Sequence, residues 1–363
     1  PLTIGEDALA LHLAGFQAAI DAGVAAVMPY GYSTVPYLGG DAVDNSADQS
    51  AAVMTDLLRG TMGYTGIIQT DWGLNFSGAA NAGADVLGGA GVRSTRQLVD
   101  EVDEERLTAA CRRILIAKFE LGLFENPYVD EEKAEETIGS AAHLAIAREA
   151  AAKSFTLVKY ENAAPLAGQK FIVAGSLAND VRCLNSGWTA KEPVEIKGTT
   201  ILEALQAKAG VDNVTYIESA ADVPADLTGV TAVVVVGEKS GTHEPAWGSA
   251  TLEFPEEQLA LLNALDSAGA NVVAVVIMNR AYVLTPVAQA ADSVLIAYRP
   301  GVTSGAQALA DTLFGENPIT GKLPFQIPAS MEQVLAQRED MPKDIENPLY
   351  EYGFGIETEG FGR

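Results

Sequence analysis

The sequence predicts an α/β fold, in which the C-terminal part of a (β/α)8, TIM-like barrel is followed by a three-layer α/β sandwich. Short apolar strands alternate with amphipathic helices along the chain, which is the pattern of βα units. About three such strands precede Pro127, whereas a complete barrel of eight units takes ~250 residues. We therefore predict four segments: barrel residues 1–125, a linker at 126–165, the sandwich at 166–330 and a packed tail at 331–363.

The first 125 residues repeat a helix-then-strand step. LALHLAGFQAAIDAG has apolar residues at helical spacing, and the strand-like VAAVMPYG follows it. AVMTDLLRGTMG and GIIQTDWG repeat the step, and a third short strand, GADVLGGAG, precedes the helix ERLTAACRRILIAKFELGLF. The pattern is typical of the last units of an α/β barrel.

The second half alternates in the same way after a polar, helical stretch. Five apolar runs predict strands: FIVAG, NVTYI, TAVVVVG, NVVAVVIM and SVLIAY. TTILEALQAKAG and PEEQLALLNALDSAG predict helices between them, so a mostly parallel sheet in a three-layer sandwich is expected. The tail from Pro328 is polar without periodicity, and we expect it to wrap back over a domain surface.

The composition argues against several classes of function. A net charge of −25, from 48 acidic and 23 basic residues, disfavours nucleic-acid and anionic-membrane partners, which need clustered Lys and Arg. No run approaches the ~20 apolar residues of a transmembrane helix. Two cysteines and three histidines show no metal-ligand spacing, and no cofactor is implied. The compartment stays open, although an acidic chain with few thiols suits a secreted or salt-exposed enzyme.

Asp71 is the first candidate for chemistry. It lies in TDWG at the predicted carboxyl end of a buried strand, where α/β barrels build their active sites. A carboxylate there can attack an anomeric carbon and form a glycosyl-enzyme, but an Asp at this spacing also suits a helix cap. Trp72 offers an aromatic face for a pyranose ring, with plain packing as the alternative.

The residues around Asp71 resemble the signature of glycoside hydrolase family 3, whose members carry SDWG or TDWG after a segment like TDLLRGTMGYTG. Other blocks keep the order of that family: MPY, AGADVLGGAG, KFELGLFENPYVD, LVKYENAAPL, VVVVGE, FPEEQLALLNAL, ADTLFGENPITGKLPFQIPASM and YGFG. The resemblance covers nearly the whole chain. It implies that 1–125 is the end of a (β/α)8 barrel, and that Asp71 is the catalytic nucleophile.

The resemblance also implies an acid/base glutamate on the loop after VVVVGE. That loop, EKSGTHEPAWGSATLEFPEEQ, offers Glu238, Glu244 and Glu253, and Glu244 fits the family position best. The sequence departs from the family here, since WGSATLEF replaces the usual GDRSDLSLP, and the alignment shifts by a residue or so. Glu244 as an exposed loop residue is the alternative reading.

Further site residues are expected around these two carboxylates. Tyr30 and Tyr32 end the strand before that of the nucleophile, where relatives place a Tyr near the nucleophile, and a rim position is the alternative. His243 and Trp247 on the acid/base loop are predicted to contact substrate. A branch of the family uses a barrel-loop His as acid/base, but residues 1–125 offer only His12, on a helix. Asp85, in AGADVLGG, matches a strand-end position yet suits a turn.

The resemblance therefore implies a retaining, exo-acting, β-glucosidase-like enzyme that works by double displacement through Asp71. Its two carboxyl groups would lie ~5–5.5 Å apart. The chain opens at Pro1 without a methionine or signal peptide, so we expect an N-terminal barrel fragment, from a cleaved precursor or a separate chain, as partner. The alternatives are a non-catalytic carbohydrate-binding or interaction subunit, and a β-xylosidase or N-acetylglucosaminidase on the same scaffold.

Overall fold

Two units divide the chain in the computed structural model, which describes residues 2–31, 33–72, 75–161, 166–185, 196–238 and 251–362. Unit 1 comprises Pro1–Asp130 together with Arg338–Met341, and unit 2 comprises Glu131–Gln337 and Pro342–Arg363. Along the chain, the main division between the units lies between Asp130 and Glu131.

Unit 1 consists of short strands and longer helices. Its strands are β1 (Leu2–Thr3), β2 (Ala26–Val27), β3 (Ser33–Thr34) and β4 (Ile67–Ile68). Its helices are α1 (Glu6–Asp21), α2 (Ala52–Thr61, with π-type bonding), α3 (Phe76–Ala82), α4 (Val92–Glu101) and α5 (Glu104–Glu120), with 3₁₀ turns at Pro36–Leu38, Gly40–Val43 and Ala47–Gln49.

Three segments of unit 1 run side by side in parallel. Val27 of β2 pairs with Ile68 of β4, and beyond β4 Gln69 forms a parallel bridge with Val86. Behind them lies an apolar core of β2, β4 and the flanking helices, in which Met54 and Ile68 are completely buried. Parallel pairing brings the carboxyl ends of these segments to one edge.

The segment Arg338–Met341 belongs to unit 1 because it binds the start of α1. The Arg338 guanidinium pairs with the Asp7 carboxylate at 2.7 Å, and Asp340 accepts a hydrogen bond from the Gly5 amide at 2.9 Å. The first amides of a helix have no partner within it, so Asp340 satisfies one at the N-terminus of α1. Asp7 in the first turn also interacts favourably with the helix dipole.

Unit 2 is built on a six-stranded sheet with the order β5-β10-β9-β8-β6-β7. The strands are β5 (Thr156–Tyr160), β6 (Phe171–Ala174), β7 (Val214–Ile217), β8 (Thr231–Gly237), β9 (Asn271–Ile277) and β10 (Ser293–Ile296). The helices are α6 (Glu131–Thr137), α7 (Ala141–Ser154), α8 (Ile201–Ala209), α9 (Glu256–Ser267), α10 (Thr285–Ala290), α11 (Gly305–Leu313) and α12 (Met331–Ala336). Short 3₁₀ turns lie at Ser176–Asn179, Val181–Leu184, Val211–Asn213 and Ala220–Asp222.

Both faces of this sheet are covered by helices. Alternate β8 residues enter different cores, since Val233 and Val235 pack with α7, α8 and α11, whereas Val234 and Val236 pack with α9 and α10. Successive side chains of a strand point to opposite faces, so a strand buried on both reads as a continuous apolar run. The predicted α/β sandwich is therefore confirmed.

The segments predicted as linker and tail contain regular structure. Range 126–165 holds α6, α7 and strand β5, which pairs antiparallel with β10 at the edge of the sheet. Leu157 and Val158 of β5 are buried on opposite faces, and this burial makes the segment part of the sandwich. In the tail, Tyr350 bridges to Ile327 and Thr358 to Ile319. Within the described residues, no helix has the length and apolar character needed to cross a bilayer.

Candidate functional site

The carboxyl ends of β2 and β4 carry the predicted nucleophile and one of the predicted tyrosines. Asp71 follows β4 and Tyr30 follows β2, and these two strands are direct parallel neighbours. Asp71 is exposed, Trp72 is 75% exposed and Tyr30 is 56% exposed. The structure thus brings Asp71, Trp72 and Tyr30 to one end of the parallel segments, with the carboxylate and both rings accessible.

The backbone that presents Asp71 is held from both sides by neighbouring segments. The Gln69 amide donates to the Val27 carbonyl at 3.0 Å, and the Thr70 amide donates to the Val86 carbonyl at 2.9 Å. The Thr70 side chain is buried, and its hydroxyl donates to the Asp71 carbonyl at 3.1 Å. Asp71 is therefore an exposed side chain on a well-anchored strand end.

Asp85 lies at the opposite end of the same segments and is an ion-pair centre. Its carboxylate, with a completely buried side chain, binds the guanidinium groups of Arg59 at 2.6 Å, Arg106 at 2.9 Å and Arg113 at 3.0 Å. It also accepts a hydrogen bond from the Ile68 amide of β4 at 3.0 Å. Asp85 thus ties α2, α5 and β4 together, a larger role than the turn suggested by its glycine neighbours.

Arg59 and Tyr64 also bind the backbone of β4 and of the residues that precede β2 and β4. The Arg59 guanidinium also donates to the Gly66 carbonyl at 3.0 Å, and the Tyr64 hydroxyl donates to the Ala25 and Ile67 carbonyls at 3.0 and 2.9 Å. Burial lowers the pKa of Arg59, an effect that the Asp85 charge opposes, and burial raises the pKa of Tyr64. Both groups keep their protons at neutral pH, so these hydrogen bonds hold at physiological pH.

Two of the three glutamates weighed as acid/base lie in the described part of unit 2. Glu238 has a completely buried side chain, and its two carboxylate oxygens pair with Arg280 at 2.8 Å and Arg299 at 2.9 Å. Glu253 is exposed and accepts a hydrogen bond from the Thr251 hydroxyl. Glu238, with both oxygens engaged by guanidinium groups, is suited to a structural role and poorly suited to donating a proton.

The remaining predicted site residues, Tyr32, His243, Glu244 and Trp247, lie outside the described residues. The separation between the Asp71 and Glu244 carboxyl groups therefore stays a prediction. Across the described ranges, no group of three or more His, Cys, Asp or Glu side chains is arranged to hold a metal ion.

Sequence reasoning missed the residues that hold the site in place. Thr70 stands inside the TDWG motif, and its hydroxyl also accepts a hydrogen bond from the Gly88 amide at 3.0 Å. Arg59, in the LLRG segment, was not connected to Asp85, because the two are 26 residues apart and belong to different elements. The available signal for Thr70 was its place in the motif, directly before Asp71 and just after the apolar strand β4.

Comparisons with known proteins agree on one family for both units. Residues 5–94 match the model of the glycosyl hydrolase family 3 N terminal domain, and residues 155–358 match that of the glycosyl hydrolase family 3 C-terminal domain. Together these matches span most of the chain.

Individual relatives carry glycosidase names. The chain is 30% identical to "Beta-glucosidase C" of Emericella nidulans, over 96% of this chain and 56% of that protein. It is 26% identical to "Periplasmic beta-glucosidase/beta-xylosidase" of Dickeya chrysanthemi, over 95% of this chain and 54% of that protein. The chain thus spans about half the length of these relatives.

A solved structure with a similar fold is an exo-1,3/1,4-beta-glucanase (ExoP) mutant from a Pseudoalteromonas species. Its TM-score is 0.81 at 26% identity, and the match covers 98% of this chain and 61% of that one. A beta-glucosidase from Listeria innocua in complex with laminaribiose gives a TM-score of 0.80 at 24% identity, with 98% and 55% covered, which shows the fold alone. From the two family matches and these likenesses, we conclude that the chain belongs to glycosyl hydrolase family 3.

Proposed function

We propose that this chain supplies the nucleophile, Asp71, of a retaining, exo-acting, β-glucosidase-like glycoside hydrolase. The single observation that carries the proposal is the exposed Asp71 carboxylate at the carboxyl end of a parallel strand, with the accessible Trp72 ring beside it. Barrel enzymes build their active sites at this end of their strands. Family membership and the glycosidase names of the relatives support the same activity.

The proposed reaction has two displacement steps. In the first, an Asp71 carboxylate oxygen bonds to the anomeric carbon, the glycosidic bond breaks, and Glu244 donates its proton to the departing oxygen. In the second, Glu244 takes a proton from water, whose oxygen bonds to the anomeric carbon as the ester to Asp71 breaks. Both carboxyl groups return to their starting states, and the anomeric configuration is retained.

Aromatic side chains would hold the sugar during these steps. The Trp72 ring is 75% exposed and immediately follows the nucleophile, so it can pack against the apolar face of a pyranose. Tyr30 is exposed at the end of the neighbouring strand, where its hydroxyl can stabilise or orient the nucleophile. Tyr32, His243 and Trp247 are proposed as further substrate contacts.

Unit 1 is proposed to be the C-terminal part of a (β/α)8 barrel, completed by N-terminal βα units on the same precursor or on a second chain. Eight units make a full barrel, whereas three parallel segments run side by side among the described residues of unit 1. Apolar side chains on the helices that flank them remain exposed, and a missing barrel half would cover such surfaces: Leu11 and Phe16 of α1, and Leu115, Ile116 and Phe119 of α5. We call the assembly of this chain with those units the barrel-complete enzyme.

The test is covalent trapping of the barrel-complete enzyme with a 2-deoxy-2-fluoro-β-glucoside that carries an activated leaving group. The fluorine slows release of the glycosyl-enzyme, so intact mass and peptide mapping should find one fluoroglucosyl group on the peptide containing Asp71. Asp71→Asn should abolish the adduct, whereas Asp56→Asn, a matched change at an exposed aspartate of α2, should leave it intact. An adduct on another residue, or none on a folded enzyme, would contradict the proposal.

Two alternatives remain on the same scaffold. The relative from Dickeya chrysanthemi is named both beta-glucosidase and beta-xylosidase, which favours testing a 2-fluoroxyloside in parallel. Faster trapping by the xyloside would assign a β-xylosidase. An adduct formed only with a 5-fluoro N-acetylglucosaminide, whose C2 position already carries the acetamido group, would assign an N-acetylglucosaminidase. Binding of these sugars without formation of any adduct would favour the other alternative, a non-catalytic, carbohydrate-binding subunit. The periplasmic relative also supports the proposal of a secreted enzyme.

A further inference from the structure

We infer that the Thr70 hydroxyl and Gly88 form a positioning device that fixes the Asp71 backbone for nucleophilic attack. The inference rests on the proposed function of Asp71. Thr70 directly precedes the proposed nucleophile, and Gly88 lies in the loop that follows Val86. Neither residue is proposed to contact the sugar.

The Thr70 hydroxyl connects two strand ends. It is 1% exposed, donates to the Asp71 carbonyl at 3.1 Å and accepts from the Gly88 amide at 3.0 Å. Because one hydroxyl is both donor and acceptor, the Asp71 peptide group is bound, through Thr70, to the loop that follows Val86. A serine can make the same two bonds, whereas a valine of the same shape can make neither.

Gly88 lies directly against this backbone. A Cβ atom there would lie 2.6 Å from the Thr70 carbonyl oxygen and closer still to the Asp71 carbonyl oxygen. The position therefore requires glycine because there is no space for a side chain. Backbone conformation is not the reason, since Gly88 is not among the glycines with positive φ. Any side chain at this position must push the Asp71 peptide away from the loop.

The next residue, Gly89, lies against the Trp72 ring, which is proposed to pack against the sugar. Gly89 has φ +72°, and a Cβ atom there would lie 2.7 Å from Cε3 of the Trp72 ring. The pair Gly88–Gly89 thus packs against the backbone of the nucleophile and the ring that follows it. One loop sets the position of both groups.

This coupling matters because the Asp71 carboxylate is joined to the backbone by only two side-chain torsions. Reacting atoms must meet at about 3–3.5 Å, and a misplacement of about 1 Å can reduce the rate on the order of 100-fold. Loss of the Thr70 bonds should therefore slow the bond-forming step. Substrate affinity should change less than this rate, because Thr70 itself makes none of the proposed sugar contacts.

The experiment compares Thr70→Val with Thr70→Ser in the barrel-complete enzyme. Trapping by the 2-deoxy-2-fluoro-β-glucoside yields a maximal rate of adduct formation and a separate dissociation constant. We expect Thr70→Val to slow the maximal rate about 10- to 100-fold, and Thr70→Ser to stay within roughly threefold of wild type. If Thr70 had only a structural role, the maximal rate would not fall while the dissociation constant stays nearly unchanged, and serine would not restore that rate.

A second pair tests the close approach. Gly88→Ala should slow trapping in the same way, whereas Gly91→Ala, in the same loop with no atom within 4 Å of the added Cβ, should trap like wild type. Equal trapping by Thr70→Val and wild type, or by Gly88→Ala and Gly91→Ala, would overturn the inference.

Hydrogen exchange separates this inference from the proposed function. The Gly88 amide should exchange faster in Thr70→Val than in Thr70→Ser, because only serine retains its acceptor. If wild type forms no adduct, the proposed function fails, and the exchange result alone then decides whether the Thr70 bond exists. Unchanged exchange in Thr70→Val would overturn the inference whatever the activity.

Discussion

Replacing Asp85 with asparagine tests how unit 1 is held together. The Asp85 carboxylate accepts four hydrogen bonds, three from guanidinium groups and one from the Ile68 amide, and its side chain is fully buried. Asparagine has nearly the same shape but no charge, and its amide nitrogen would face a cation. The variant therefore leaves three guanidinium groups without their counter-ion.

The structure sets the size of the expected loss. Removing one partner of a buried ion pair costs about 3–5 kcal/mol. The side chains of Arg59, Arg106 and Arg113 are 15, 19 and 28% exposed, so each can recover some hydration when Asp85 is lost. We therefore expect the lower end, a loss of about 3 kcal/mol in the free energy of unfolding.

The assay is urea and thermal unfolding of the barrel-complete enzyme by circular dichroism. Asp100→Asn, on the exposed side of α4, is the matched control and should leave the midpoint unchanged. A loss below about 1 kcal/mol in Asp85→Asn would refute the reasoning, because that is the range of an exposed pair. The Asp85 cluster would then be dispensable for stability.

Three further outcomes follow from the structure. Burial raises the pKa of the Cys183 thiol to about 12, so at pH 8 only about one part in 10⁴ is thiolate. A thiol reagent should therefore modify the exposed Cys111 in the folded protein and Cys183 only after unfolding. Equal modification rates for the two thiols would contradict the burial of Cys183. The Gly5 amide, and then the Arg338 guanidinium, lower the pKa of the Asp340 carboxyl group. The stabilisation by Asp340 is complete above the unfolded pKa near 4 and is lost as pH falls through the lower folded value, so the protection factor of the Gly5 amide, relative to its intrinsic exchange rate, should fall only in this acidic window. Azide should restore turnover of an activated glucoside in an enzyme whose acid/base is replaced by alanine. We expect this rescue in Glu244→Ala and not in Glu238→Ala. Rescue of the Glu238 variant instead would assign the acid/base role to Glu238.

The sandwich was predictable because its sequence signal is local. Strands such as β8 are buried at every position from Thr231 to Gly237, and the run between these two residues, Ala232–Val236, is entirely apolar. Strand β5 was harder to recognise, because Lys159 and Tyr160 at its end are half-buried and the strand falls within the predicted linker, at the edge of the sheet. Its place became clear only from the pairing with β10.

For the site, the sequence identified the candidate nucleophile but not the residues that bind its backbone. Asp71 was found because it ends an apolar strand in a short, recognisable motif. The partners of Thr70 and Asp85 come from other segments, 18 residues away for Gly88 and up to 28 for Arg113. No periodicity within one element reports which distant groups will meet.

The sequence by itself therefore determined the alternation of helices and strands in the sandwich, and it predicted a two-part organisation and a candidate nucleophile. Side-chain periodicity and a strand-end motif are properties of neighbouring residues, and a sequence displays them directly. Only the tertiary structure decided that Asp85 is an ion-pair centre, that Glu238 is engaged by two arginines, and that Gly88 supports Asp71. Burial of a charged or polar group has to be compensated by partners, and those partners are set by which segments pack together in space.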